Sequence, residues 1–487
     1  MFRGWVGHRS FPCQDPAWIL RLGILRLGIL RLGILRLGIL RLGILGPGML
    51  GLGMLGLGGG FLSPVHAAES LPPGLEASSE DGQRTPAKLF RPTRTPEHHL
   101  MLAVDHWLAG RVDTALSQLR ELLRQQPDFS LGQELLRALQ TPAPPPLTIV
   151  SSTQPGGATP SIPLPGASPS LPFPGQLATL PGLRPESADE LLRRWRHHHQ
   201  PPPAGQVPDA LLRLGENHPI ALMVDMEQAR LYVVQNLPEG PHILEDYYVS
   251  YGAQGAGKQR EGDLRTPIGV YFTVEHIPGQ RLPDRYGWGA FTLNYPNFRD
   301  RHLRRTGYGI WLHGNPTGSF SRPPQDSEGC VTLHNDDLAA LAPWLQAGRV
   351  PVLLLPRLHW VAPADQAAAA DELLATLEAW RADWERLDMP RYLQHYSKDF
   401  RNRRYTDLHM WQQEKIRVHA RKTQARISLT QVNAFRYPDP DSPQDLVLVT
   451  FQQDYWSDNF ASLTDKQQLW QREADGQWRI LFEDTFP

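Results

Sequence analysis

From residue 141 to 182 the chain is proline, serine, glycine and threonine with scattered leucines and almost no charge. A segment of that composition cannot bury enough apolar surface to offset the entropy of ordering it, so it reads as a partly extended linker. The 487 residues are therefore not one continuous core, and they leave room for two or three domains.

The N-terminal region is a second interruption. Arg-Leu-Gly-Ile-Leu recurs five times in tandem from Arg21 to Leu45. An arginine at every fifth position rotates around a helix, and central arginines cost about 2.5 to 3.5 kcal/mol each on insertion scales, so the repeat is a poor membrane span. It reads as a low-complexity extension, consistent with a start codon set too far upstream. Gly46 to Leu62 is apolar and uncharged, and Val65-His66-Ala67-Ala68 follows with the small residues that a signal peptidase requires. Two readings stand: a signal peptide cleaved near Ala67/Ala68, or a retained apolar anchor. Either sends the remainder across the inner membrane, so the expected location is the periplasm. With 49 basic and 50 acidic side chains and no polybasic run, the chain is not expected to bind nucleic acid.

The expected organisation is a repeat and signal peptide over 1–68, a polar leader and helical hairpin over 69–140, the linker over 141–182, a short helix and connector over 183–217, and two larger domains over 218–356 and 365–487. The hairpin rests on Leu102, Val104, Trp107 and Leu108, a break at Gly110-Arg111, and Ala115, Leu116, Leu119, Leu122 and Leu123. Its small and aromatic positions resemble one tetratricopeptide-type unit. One unit cannot bury a core alone, so it must pack on something else, either as a docking surface for an envelope protein or as a spacer. The short helix, Ser187 to Trp195, runs into His197-His198-His199. Adjacent histidines point in different directions from a regular backbone, so no metal site is expected there.

Ala221–Asp225, Arg230–Val234, Asp246–Ser250 and Gly269–Val274 are β-branched or aromatic runs bounded by turn residues, the pattern of a β-rich domain with its chemistry on loops. After Pro356, a helix over Ala367–Leu387, a second helix carrying Tyr392, Leu393, Tyr396 and Phe400, and four long strands ending in an Asp475-Gly476 hairpin predict an α+β cone.

Export leaves Cys330 as the one cysteine of the mature chain. A thiol with no disulfide mate in an oxidising compartment is a candidate nucleophile. It attacks as the thiolate, so it needs a base nearby, and His313 closes the strand-like Trp311-Leu312-His313 just upstream. Gly329 leaves room for a substrate carbonyl, and backbone N–H groups around Gly329 and Cys330 are positioned to hold an oxyanion. Asn335, with two acids after it, reads as the N-cap of the next helix. The bland alternative is a buried small cysteine beside a satisfied core histidine.

The surrounding residues carry a resemblance. Gly252 with Lys258, Glu261-Gly262-Asp263-Leu264-Arg265-Thr266-Pro267-Ile268-Gly269-Val270-Tyr271, His313-Gly314, Ser327-Glu328-Gly329-Cys330-Val331 and His334-Asn335 resemble, in order and spacing, the YkuD-type L,D-transpeptidase catalytic domain over about 218–356. The resemblance implies Cys330 as nucleophile, His313 as its base, the Gly314 carbonyl orienting the imidazole, and Ser327 shaping the pocket. It implies a peptidoglycan stem tetrapeptide as acyl donor, a thioester, and an amine or water as acceptor, with no metal or organic cofactor. Glu328 and Thr332 stand where many members carry histidine and arginine, and Lys258, Arg304 and Arg305 are candidate substitutes for the missing cation. The C-terminal unit resembles the nuclear-transport-factor-like cone, and the whole order is similar to periplasmic cell-shape L,D-carboxypeptidases. Transpeptidation is the first reading, hydrolysis by a carboxypeptidase or amidase the second, and a non-catalytic wall-binding scaffold the third.

Overall fold

The computed structural model describes residues 94–141, 180–345, 349–405 and 407–486. The pentapeptide repeat, the expected signal peptide and most of the linker lie outside the described residues. No helix among the described residues is long and apolar enough to cross a membrane.

The N-terminal module has three helices where a hairpin was expected, followed by a fourth: α1 (Arg94–Leu108), α2 (Val112–Gln125), α3 (Ser130–Gln140) and α4 (Pro185–His199). The turn at Pro127-Asp128-Phe129 breaks the second helix, and the chain resumes helix at Ser130. Leu100, Val104, Leu119, Leu122, Leu135, Leu191 and Trp195 close a small core. Pro185 opens α4 at a first-turn position where its missing N–H costs nothing.

The sheet of the central domain has eight strands in the order Val331–Thr332, Trp311–His313, Gly289–Leu293, Gly269–Pro278, Pro351–Leu355, Ile220–Asp225, Arg230–Leu237 and Gly240–Tyr248. Its central strands are apolar on both faces. One face packs Leu222, Val224, Tyr271 and Leu312 against Leu338 and Leu341 of the helix Asn335–Leu345. The other face packs Met223, Val270, Phe272 and Leu353 against Phe435, Leu448 and Leu469 of the C-terminal domain. That shared cluster explains the continuous apolar runs in these strands.

The C-terminal domain opens with the long helix Pro363–Glu385 lying over a curved sheet. The second predicted helix is shorter than expected: it stops at Gln394, and Tyr396 and Phe400 lie on a strand, Tyr396–Arg401, that pairs with Trp478–Thr485. Phe400 is fully buried beside Trp411, so the aromatic spacing reports one buried strand face and not a helical stripe. A further helix, Leu408–His419, leaves Met410, Ile416 and Val418 exposed and buries Trp411, so its apolar residues form no single periodic stripe. The sheet's far edge is the short strand Leu211–Arg213, which precedes the catalytic domain in sequence and pairs with Ala425–Arg436.

Candidate active site

Two short parallel strands place the thiol and the imidazole side by side. Val331 pairs with Leu312 and Thr332 with His313, so Cys330, one residue before this ladder, sits two positions from His313 in register and on the same face of the sheet. Both side chains line one cleft of about 420 Å³, together with Arg285, Tyr286, Ser321, Arg322 and Ser327.

His313 is buried, and its Nδ1 lies 2.7 Å from the Gly314 carbonyl oxygen. A carbonyl only accepts, so Nδ1 carries the proton and Nε2 keeps its lone pair, the tautomer a general base requires. Burial holds the imidazole pKa down to about 3; the Gly314 carbonyl works against that shift, while Arg322 and Arg285 reinforce it. The ring is therefore neutral at rest. Tyr286 packs edge-on against it with ring centroids 4.9 Å apart. Gly314 and Gly287 leave space for one side chain: a Cβ at either would come within 2.1 Å of Asn335 Oδ1.

Asn335 was expected to cap its helix, but its amide is used elsewhere. Nδ2 donates to the Asn315 carbonyl at 2.9 Å and Oδ1 accepts from the Trp288 N–H at 2.8 Å, tying together the two loops that flank His313. His334 takes the capping contact, Nδ1 accepting from the Asp336 N–H at 3.2 Å.

The cysteine turn is held by two hydroxyls. Ser327 Oγ donates to the Cys330 carbonyl at 2.6 Å and accepts from the Gly329 N–H at 3.1 Å. The Gly329 N–H is thus committed to Ser327 in this arrangement and is not aimed at an oxyanion. Thr266 Oγ1 accepts from the Gly252 N–H and donates to the Gly329 carbonyl, both at 2.9 Å. Gly329 has φ of +125°, and a Cβ there would lie 2.8 Å from the Arg265 carbonyl oxygen, so only glycine fits. The thiol itself donates to the Gly309 carbonyl at 3.3 Å.

The three cations proposed to replace the missing arginine lie elsewhere. Lys258 is buried and paired with Asp263 at 2.8 Å, bracing the glycine-rich loop. Arg305 is buried between Asp300 and Asp441, the latter in the C-terminal domain at 2.8 Å. Arg304 is exposed and outside the cleft lining. The positive groups at the cleft are Arg285 and Arg322, with Arg322 Nε held 2.9 Å from Asp326. Neither was singled out from sequence, because a loop arginine carries no periodic signal; nor was Thr266, although it lies inside the motif quoted above. Thr332 is buried next to the cleft in a smaller polar hollow with Ser250, Asn315 and Arg194.

The N-terminal module supports the cleft from behind. Phe320, on the loop after His313, packs in tilted contact on Phe129, with centroids 4.3 Å apart, and on His334 at 4.6 Å. Ser321 donates to Glu190 of α4 at 2.8 Å, and Glu190 pairs with Arg194 at 2.9 Å. Arg194 also reaches Glu97 of α1 at 3.0 Å, and Glu97 bonds Arg230 of the catalytic sheet. All four charges are buried. The helical module thus packs on the catalytic domain, which the need to complete its core had required.

Known proteins agree with this arrangement. Residues 219–354 match the model of the YkuD L,D-transpeptidase catalytic domain, and residues 372–484 match that of the Cds6 C-terminal NTF2-like domain. The structure of Bdellovibrio bacteriovorus Bd1075 is similar at 27% identity and a TM-score of 0.51, covering 58% of this chain and 98% of its own. The helical cell shape determining protein Pgp2 from Campylobacter jejuni is similar at 25% identity and a TM-score of 0.49, covering 57% of this chain and 96% of its own. No curated protein sequence matches the chain. A YkuD-type L,D-transpeptidase catalytic domain, followed by an NTF2-like domain packed against its sheet, is what this chain contains.

Proposed function

We propose that the protein is a periplasmic cysteine acyltransferase acting on peptidoglycan stem tetrapeptides. The observation that carries this reading is the His313 tautomer: with Nδ1–H given to the Gly314 carbonyl, Nε2 is left to take the proton of Cys330 in the same cleft. The thiolate attacks the carbonyl carbon between meso-diaminopimelate and terminal D-alanine. The carbon–nitrogen bond breaks, the imidazolium gives its proton to the departing amine of D-alanine, and a thioester to Cys330 remains. An acceptor amine then attacks the thioester, His313 removes its proton, and the thiol is restored. Arg285 and Arg322 supply the positive charge that a stem-peptide carboxylate needs, the role left open by Thr332.

Hydrolysis is the second reading, with water replacing the amine. The pairing of a catalytic domain with an NTF2-like domain favours it, since that order resembles the cell-shape L,D-carboxypeptidases. Incubation with purified tetrapeptide muropeptides separates the two: cross-linked or amino-acid-exchanged products indicate transfer, and tripeptide alone indicates hydrolysis. If neither forms, and the Cys330 thiol reacts with an alkylating reagent no faster than a simple thiol, the protein is a wall-binding scaffold and the proposal fails. Cys330→Ala removes both activities if the proposal holds.

A further inference from the structure

The histidine run does not behave as three side chains pointing apart. His197 turns toward the catalytic sheet, its Nε2 lying 2.9 Å from Asp246. His198 and His199, at the end of α4, turn the other way, toward Asp105 on α1. Among the described residues, Asp105, His198 and His199 are the one set of three metal-type side chains whose ligand atoms converge, all within 4.8 Å of one another.

We infer that these three side chains form a site for a divalent transition metal of the zinc class, joining α1 to α4. Two imidazole nitrogens and one carboxylate oxygen are the donor set of Zn²⁺ and its Co²⁺ and Ni²⁺ surrogates, not the all-oxygen set of Ca²⁺ or Mg²⁺. The geometry is close to what the ion requires. Bonds near 2.0–2.1 Å in a tetrahedron put neighbouring ligand atoms about 3.3 Å apart. His199 Nε2 and Asp105 Oδ1 are already 3.2 Å apart, and the His198 ring nitrogen lies within 4.8 Å of both.

The surrounding hydrogen bonds fix the right atoms. His199 Nδ1 lies 2.9 Å from the Trp195 carbonyl, so Nδ1 carries a proton and Nε2 is the nitrogen turned toward Asp105 and available to an ion. Trp195, buried and stacked on the His199 ring at 4.4 Å, donates its indole N–H to Asp105 Oδ1 at 3.1 Å. A carbonyl behind one ligand and an indole N–H behind another are supports of the kind that orient metal ligands. His198 is exposed, and the ring of His98 stands beside it at 5.8 Å, so the site opens to solvent and the fourth position is left to water.

The two helices it would join are separated in sequence by the linker, so an ion here closes a long loop. α4 also carries Glu190, which bonds Ser321 at the cleft. Metal occupancy therefore fixes the helix that supports the loop beside the candidate nucleophile.

The test is metal uptake by the full chain, purified without a histidine tag, stripped with chelator and titrated with Co²⁺ and then Zn²⁺. One Co²⁺ per chain, with the visible d–d bands of a low-coordinate site and displacement by Zn²⁺, is expected. His198→Ala, His199→Ala and Asp105→Asn each weaken uptake at least about tenfold, with circular dichroism confirming that each variant is folded. His106→Ala, at the residue after Asp105 on α1, leaves uptake unchanged. Absence of a stoichiometric Co²⁺ signal overturns the inference, as does uptake that survives His198→Ala together with His199→Ala or that falls equally in His106→Ala.

Discussion

Replacing Thr266 by valine keeps the shape of the side chain and removes its hydroxyl. Thr266 is fully buried, and that one oxygen satisfies the Gly252 N–H and the Gly329 carbonyl, each at 2.9 Å. Valine leaves both backbone groups without this partner in a site closed to water, and each orphaned group costs about 1–3 kcal/mol, so the sum is about 2–6 kcal/mol. The chemical effect is separate from that loss. The Gly329 carbonyl belongs to the peptide that leads directly into Cys330, so its release lets the backbone of the proposed nucleophile rotate. A misplacement of about 1 Å in a reacting group costs about a hundredfold in rate. Thr266→Val should therefore lower both the melting temperature and the rate of Cys330 alkylation near neutral pH, and Thr266→Ser, which keeps the oxygen, should recover most of both. Wild-type alkylation in Thr266→Val with its stability reduced would show that the clamp is structural only. A valine variant as stable as wild type would refute the hydrogen-bond argument itself.

Ser327→Ala removes the hydroxyl that bridges the Cys330 carbonyl and the Gly329 N–H; turnover of tetrapeptide should fall by at least about tenfold, with muropeptide binding retained in a pull-down at equal protein concentration. His313 is neutral when folded, with burial lowering its pKa to about 3 from the ordinary imidazole value of 6.5. The unfolded chain therefore binds the extra proton between those values, so His313 makes stability fall as pH drops from 6.5 toward 3, by about 1.4 kcal/mol per pH unit. Denaturant unfolding of His313→Ala over that window should show a shallower slope by one proton, and an identical slope would count against a neutral buried imidazole. Glu190→Gln weakens a buried pair with Arg194 and the contact to Ser321. Breaking such a pair costs about 3–5 kcal/mol, so hydrogen exchange in α4 and in residues 316–326 should quicken together. Exchange that changes in α4 alone would separate the helical module from the cleft.

Much of the fold was legible because periodicity survives in single sequences. The strands beginning at Ile220, Arg230 and Gly269 carry apolar residues on both faces, a signal that packing on the helix and on the C-terminal sheet enforces. Tyr396 and Phe400 misled because a four-residue spacing fits a helical face and also alternate positions of a strand; burial against Trp411, a residue with no sequence signal, decided for the strand. At the site, Cys330 and His313 were found by chemistry, since a thiol and a nearby imidazole need no periodic pattern. Arg285 and Arg322 were missed because their place at the cleft depends on loop paths. Lys258, noticed within the motif, and Arg305, noticed for its charge, are each paired with an acid, Asp263 and Asp300. The histidine run illustrates the same limit: adjacent side chains diverge locally, and only the return of α4 onto α1 makes two of them converge on Asp105.

The edge strand Leu211–Arg213 makes the C-terminal domain discontinuous in sequence, with the whole catalytic domain spliced between its first strand and its remainder. A cut at residue 356 would sever a sheet, not a linker. The excised C-terminal piece would lose the partner of Ala434 and Phe435 and leave that end of the Ala425–Arg436 border open to pairing with another copy of itself. During synthesis the strand at 211 must wait for more than two hundred later residues before its partner emerges, so the two domains reach their final form as one event.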